Sequence, residues 1–210
     1  MDNKQHIIIC VGRQLGSGGH AVAQLLANDF QAKLYDRELL NLAARESGFS
    51  ERVFEQNDER KGFFRTLLNI QSPSFSGGIY RSNLSQESLF QFQSDAIRKA
   101  AQEGNCVFVG RCADYVLRDM PNVVSIFISA SMFFRIDQVH AHERHAHLSP
   151  REAKRFILNE EERRARYYNY FTGRKWGAAE TYDLCIDSSI LGIEETARFV
   201  AAFIRQRYNL

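Results

Sequence analysis

The stretch His6-Ile7-Ile8-Ile9-Cys10-Val11, followed at once by Gly12-Arg13-Gln14-Leu15-Gly16-Ser17-Gly18-Gly19, decides the fold. A short apolar run rich in isoleucine reads as a buried strand. The glycines after it allow a tight turn, and Ala21 to Phe30 then repeats apolar residues at Val22, Leu25, Leu26 and Phe30, the spacing of one helix face. Strand, glycine loop and helix in that order bring the amino end of a helix to the carboxyl end of a strand. The first amides of a helix lack intrahelical partners and its dipole leaves roughly half a positive charge there, so backbone N–H groups can cradle phosphate. Gly16, Ser17, Gly18, Gly19 and His20 are the candidate phosphate-binding residues. The same glycines would equally serve a turn that packing alone requires.

Outward from this unit, short apolar runs alternate with longer amphipathic stretches, the order of a sheet with crossover helices. Ala32 to Tyr35 reads as a second strand, and Asp36 or Arg37 stands near the cap of a helix expected over 38–46 that Gly48 stops. Residues 50–61 offer one more helical stretch. The segment 71–85 (QSPSFSGGIYRSNLS) is full of turn formers and reads as a mobile loop, of a length that usually serves function or disorder. Gln86 to Glu103 returns to helix and feeds the strand Cys106 to Val109, with Gly110-Arg111 at its carboxyl end. A helix near 113–118 and the strand Val123 to Ser129 follow. Helical stretches run from Met132 onward and from Pro150 to about Tyr170; the last strand is Leu184 to Asp187 and the last helix Ile193 to about Tyr208. With no internal repeat and no linker, the 210 residues fit one larger α/β domain.

Twenty-seven basic against 25 acidic side chains leave a net charge of +2, too balanced for a nucleic-acid or membrane footprint. Any basic site must therefore be local. Arginines cluster at Arg163, Arg164 and Arg166 and stand singly at Arg13, Arg37, Arg111, Arg135 and Arg174, a set suited to converge on a small polyanion or to lie scattered on a solvated surface. The four cysteines lie apart with no C-x-x-C pair, as reduced core residues would. No apolar run approaches a membrane span and no leader pattern opens the chain, so the expected setting is the cytoplasm, with the chain folding alone or as a homodimer.

Against the Walker A pattern G-x-x-x-x-G-K-[ST], with Gly18 as the second glycine, the chain departs at three places: Arg13, Gly19 and His20 stand where Gly, Lys and Ser/Thr are required. The ammonium that would reach the β- and γ-phosphates and the hydroxyl that would bind Mg²⁺ are thereby lost.

Four segments nevertheless recur in the order of a known family: R-Q-x-G-S-G-G (Arg13 to Gly19), Y-D-R-E-L (Tyr35 to Leu39), V-G-R-x-A-D-Y-x-L (Val109 to Leu117) and Y-Y…W-G…Y-D-L (Tyr167 to Leu184). Nearly end to end, the chain resembles cytidylate kinase-like proteins, in their divergent bacterial branch that lacks the Walker lysine. The resemblance implies a P-loop NTPase-type parallel sheet with helices on both faces, a helical acceptor-binding insertion over 36–104 and an arginine-rich lid over 135–176. It implies transfer of the ATP γ-phosphoryl to a nucleoside monophosphate, CMP or dCMP, with Mg²⁺ bridging the phosphates and small nucleotides as the partners. Carried over residue by residue, Gly16 to His20 take the donor phosphates and Arg13 lends them charge. Asp36, Arg37, Arg111, Asp114 and Glu161 face the acceptor, with Cys112 at the aspartate position of the family's G-R-D corner. Glu161 and Arg164 match a D-x-x-R lid element, Arg163 stands beside it, and Arg135 falls where another lid arginine is placed. Two further readings stay open: a nucleotide-binding regulator that has lost turnover, and a kinase of a non-nucleotide small molecule.

Other clusters carry less. His140, His142, His145 and His147 invite a zinc reading, but the intervening charges and Pro150 favour an exposed, pH-sensitive helix end, and no metal site is expected of them. Tyr167, Tyr168, Tyr170, Phe171 and Trp176 suit core packing better than base stacking.

Overall fold

The computed structural model describes residues 6–36 and 86–210. The helix expected over 38–46, the stretch 50–61, the loop 71–85 and the candidate Arg37 lie outside the described residues. The strands are β1 Ile8–Arg13, β2 Lys33–Tyr35, β3 Cys106–Val109, β4 Val123–Ser129 and β5 Leu184–Asp187. Among the described residues the helices are α1 Gly19–Asp29, α2 Gln86–Glu103, α3 Ala113–Val116, α4 Met132–His140, α5 Pro150–Thr172 and α6 Ser188–Tyr208. The strand order is β2-β3-β1-β4-β5, and every pairing is parallel.

Alternation along β1 divides the core in two. Ile7, Ile9 and Val11 pack with α1 and α6, through Val22, Leu26, Val200 and Ile204, all essentially inaccessible to solvent. Ile8 and Cys10 face the opposite layer, against Ile97 of α2 and Leu117 beyond α3. A strand buried on both faces reads as a continuous apolar run, which is why IIICV shows no polar alternation. A third cluster, Phe127, Tyr168, Tyr182 and Cys112 with Tyr167, Trp176 and Phe171 against it, docks the end of α5 on β4, so the aromatic segment packs as core except for Tyr170, which is exposed.

Most boundaries shift from the sequence reading by one or two residues at an element's ends, and two of the shifts bear on the site. β1 continues through Gly12 and Arg13, which pair with Phe127 and Ile128 of β4, so the turn begins two residues later than the glycine suggests. Gly12 stays in the strand because a Cβ there would come within 2.9 Å of the Phe127 ring; the glycine serves close packing. The last helix starts at Ser188, capped by Asp187, but Gly192 interrupts it with φ 77°, ψ 172°. One turn precedes the break and the long amphipathic helix follows from Ile193.

The sheet also splits at its carboxyl edge. β1 and β3 pair only as far as Val11 and Val109, whereas β1 and β4 stay paired two residues further. Parallel strands diverging in this way open a crevice at their carboxyl ends, the position where α/β sheets bind ligands. Arg13 and the glycine loop stand on one side of it and Gly110 on the other.

Candidate functional site

The loop between β1 and α1 is held in shape by its own polar groups. Gly16 (φ 77°) and Gly18 (φ 71°, ψ 4°) both adopt the left-handed conformation, which a side chain would strain. Ser17, fully buried, donates its hydroxyl to the Gln14 carbonyl (2.9 Å) and accepts from the Gly19 amide (3.3 Å). The Ser188 hydroxyl sits between the carbonyl oxygens of Ser17 (2.6 Å) and Ser129 (3.0 Å), tying the loop to the ends of β4 and β5. Gln14 adds a brace, its side-chain oxygen accepting from Ala130 at 3.1 Å. The bracing roles of the Gln14 side chain and the Ser188 hydroxyl are not legible in the sequence, because the groups they hold lie 59 to 171 residues away. With its hydroxyl used internally, Ser17 offers a ligand its backbone and shapes the turn.

Helix α5 crosses this loop, and its periodicity sorts the arginine cluster. Ile157, Glu161, Arg164 and Tyr168 recur at spacings of four, three and four, one stripe on a helix. Ile157 and Tyr168 are buried, and the two charged residues between them face the glycine loop. Arg164 Nη1 donates to the Arg13 carbonyl at 3.2 Å. Glu161 Oε1 accepts from the Leu15 amide at 2.8 Å. Arg163, one position off the stripe, pairs with Glu160 on the exposed side, and Arg166 pairs with Glu162 at 3.4 Å. The structure therefore brings Arg164 to the loop and leaves Arg163 away from it. The stripe was present in the sequence as an i, i+4, i+7, i+11 pattern interrupted by polar residues, which is why apolar periodicity alone passed over it.

Arg135, at the start of α4, is nearly inaccessible. Its Nε donates to the Leu15 carbonyl at 2.8 Å, and its Nη2 lies 3.0 Å from Glu161 Oε2. That approach is off-angle for a hydrogen bond and Nη2 makes none, so the pair is an electrostatic contact. Leu15 is thus gripped through both its amide and its carbonyl by the two helices above it.

Arg13 projects from the end of β1 into the crevice. A Cβ on Gly19 would lie 2.4 Å from the Arg13 Cβ, and a Cβ on Gly110 would lie 2.2 Å from its Nη1. Its stem therefore runs across the first residue of α1 and its guanidinium reaches the end of β3. Burial, then the like charges of Arg164 and Arg111, push the Arg13 guanidinium down from its ordinary range to about 9, with Asp36 acting in the other direction. Arg111 belongs to an uncommon backbone: Gly110, Arg111 and Cys112 are three consecutive residues at φ 75°, 59° and 57°. Non-glycine residues pay about 1–2 kcal/mol each for this conformation, a strain that clusters at ligand sites. It leaves the Arg111 guanidinium 5.7 Å from the centre of the Tyr167 ring, a cation–π distance, on the side of the crevice where Arg13 and Arg164 lie.

The remaining sequence candidates fall in two places. His20, exposed on α1, stands 3.8 Å from Asp36 at the end of β2, so these two meet beside the loop. Asp114 does not face the loop. It accepts a 2.6 Å hydrogen bond from Tyr168, and burial raises its carboxyl pKa against that bond and the pull of Arg174. With Arg118, Arg174, Ser125 and Asp183 it lines a cleft of about 470 Å³ toward the amino ends of β4 and β5. Cys112, at the position of the G-R-D aspartate, is buried and its thiol is pushed up to about 12, chiefly by desolvation. The His142 and His145 rings lie 5.8 Å apart, and no group of three His, Cys, Asp or Glu side chains among the described residues is placed to hold a metal ion. Among the described residues no helix is long and apolar enough to cross a membrane.

A glycine loop after the central strand, roofed by charged helices at the carboxyl edge of a 2-3-1-4-5 parallel sheet, is the arrangement of P-loop kinases, and known structures share it. A crystal structure of an uncharacterized protein from Eubacterium ventriosum matches with a TM-score of 0.71 at 27% identity, covering 94% of this chain and 98% of that one. The fold is also that of shikimate kinase from Bacteroides thetaiotaomicron (TM-score 0.53, 12% identity, 98% of this chain and 100% of that one). A gluconokinase from Sinorhizobium meliloti shares it as well (TM-score 0.53, 14% identity, 95% and 92%). No curated protein matches the chain. The profile of the cytidylate kinase-like family matches residues 8–190, which takes in the glycine loop, the strained β3 corner and both roofing helices, and the chain belongs to that family.

Proposed function

We propose that the protein is a phosphotransferase that moves the γ-phosphoryl of ATP to a small anionic acceptor, with CMP or dCMP as the first candidates from the family. The observation that carries this reading is the convergence of Arg13, Arg111 and Arg164 beside the glycine loop, in a crevice where burial, and after it the like charges of Arg164 and Arg111, push Arg13 down to about 9. Three guanidiniums gathered at partly buried positions favour a polyanion among them. Phosphoryl transfer requires alignment, charge neutralisation and exclusion of water, with almost no covalent work by the protein.

In this reading the amides from Gly16 to His20 and the dipole of α1 bind the donor phosphates. Arg164, on the roof, and Arg111, at the corner after β3, would carry charge to the transferring group. The Ser131 amide donates to the Ser189 hydroxyl at 3.1 Å, joining the starts of α4 and α6, and the exposed Phe133 and Ile190 beside it offer an apolar surface for the base. A monophosphate acceptor brings its own ionised oxygen, so no general base is required; the bond from that oxygen to γ-phosphorus forms as the bond to the β–γ bridging oxygen breaks.

Mg²⁺ binds through one or two carboxylates and the substrate phosphates. Asp36 fits that role by charge and position, whereas the His20 imidazole in place of the Walker hydroxyl suits a softer ion. When bound there, Mg²⁺ would neutralise charge on the phosphate oxygens; the protein's own residues supply the rest.

Glu161 on the Leu15 amide favours a second reading, a nucleotide-binding regulator, since a protein carboxylate already occupies one donor of the loop. An assay of ATP, Mg²⁺ and a panel of nucleoside monophosphates separates the two. Diphosphate formation supports the enzyme; ATP binding with no turnover on nucleotides, sugars or other small hydroxyl acceptors rejects it in favour of the regulator.

A further inference from the structure

Set against G-x-x-x-x-G-K-[ST], residues 13–20 read R-Q-L-G-S-G-G-H, so the cation missing from the seventh position stands at the first, and the glycine missing from the first stands at the seventh. The geometry explains why the two positions are linked. A Cβ on Gly19 would meet the Arg13 Cβ at 2.4 Å and its Cγ at 3.0 Å. Those are the rigid base of the side chain, which cannot swing aside as a flexible tip would. A stem rising from position 19 and a stem rising from position 13 therefore occupy the same space, and only one of the two can carry a side chain.

We propose that the Walker cation has exchanged places: Arg13 does the phosphate-binding work of the absent lysine, and Gly19 is glycine because the Arg13 stem crosses it. The proposal rests on the nucleotide reading above and assigns the cation within it.

The consequences differ from those of a lysine. An ammonium is a point charge, whereas a guanidinium is a planar fork able to engage two phosphate oxygens at once. Arg13 also reaches further, since its Nη1 lies where a Gly110 side chain would begin. The fork thus spans from the first turn of α1 to the strained corner after β3, from the donor side of the crevice to the acceptor side. Gly110 is bound into the same device: any side chain there would displace the guanidinium. Arg164 completes it by donating to the Arg13 carbonyl, fixing the backbone from which the fork projects.

The exchange predicts a rescue that a merely structural arginine does not. Affinity for inorganic tripolyphosphate and for ATP is measured calorimetrically on the full chain and on R13M, R13G, G19K and the double variant R13G/G19K. Loss of a charge-assisted contact should weaken R13M and R13G by about 10- to 100-fold. G19K should fare no better, because its stem collides with Arg13. R13G/G19K restores the Walker glycine and lysine, with His20 unchanged, and should recover to within about tenfold of the parent protein. Unchanged affinity in R13M, or a double variant no better than R13G alone, overturns the exchange. Melting curves give the control: R13M removes a crowded buried charge and should melt no lower than the parent, so an unfolded R13M makes Arg13 a structural residue and also overturns it. If the parent protein binds neither tripolyphosphate nor ATP, the nucleotide reading itself falls; if it binds both and R13M matches it, only the exchange falls.

Discussion

Glu161 accepts the Leu15 amide at 2.8 Å with one carboxylate oxygen and stands 3.0 Å from Arg135 with the other. One side chain of α5 therefore holds both the glycine loop and the buried arginine of α4. Removing it strands the Arg135 charge, whose side chain is only 5% exposed. E161A should lose about 3 kcal/mol of stability in urea unfolding, and R135A/E161A should lose less than the two single variants together. Additive losses would show that the two groups do not act as a pair.

Arg163 and Arg164 are neighbours in sequence with opposite surroundings. Arg164 donates to the loop backbone and burial lowers its pKa, while Arg163 pairs with Glu160 on the exposed side. R164M should reduce phosphoryl transfer by about 10²–10³-fold, the scale of a guanidinium that stabilises the transferring group. R163M should change it by less than about twofold, in line with an exposed ion pair. Steady-state kinetics on the two variants checks this; equal losses would contradict the assignment.

Two loop glycines are irreplaceable for different reasons. Both carry left-handed backbone that costs a non-glycine residue about 1–2 kcal/mol. A Cβ on Gly16 would also meet the Arg135 carbonyl oxygen at 2.5 Å, whereas a Cβ on Gly18 would meet the side chain of Ile193 at 2.7 Å. A backbone atom cannot yield, but a side chain can. G16A should destabilise by about 3 kcal/mol or more and G18A by less, and I193A should relieve part of the G18A loss but none of the G16A loss, as read from thermal melts.

Asp114 makes stability depend on pH. Burial raises its pKa in the folded state above that of an ordinary aspartate, so the native protein binds this proton more tightly than the unfolded chain does. The stability it adds is present below the unfolded pKa and is lost as pH rises through the folded pKa. Asn at this position keeps an acceptor for the Tyr168 hydroxyl without a buried charge. D114N should therefore melt above the parent protein at pH 7, with the gap closing toward pH 3. A gap that widens on acidification would reverse the assignment.

How far the molecule could be read in advance depends on the range of the interactions involved. The strands at 106–109, 123–129 and 184–187 and the helix 86–103 were legible residue by residue, because apolar runs and helical spacing report burial along one element. The last helix was placed from Ile193, and its main body does begin there, since Gly192 breaks the turn before it. The end of β1 is not legible in the sequence, because Gly12 looks like a turn residue until Phe127, more than a hundred residues away, is packed on it.

Local chemistry, then, was enough to determine a strand, a glycine loop and a helix aimed back at it, together with the layered sheet that such units build. What the tertiary structure alone decided is which charges meet: Glu161 on Leu15, Arg164 rather than Arg163 over the loop, and the Arg13 stem across Gly19 with its fork at Gly110. Periodicity is a property of neighbours along the chain, while a site assembled from residues 13, 110, 135 and 164 exists only once four separate elements have packed.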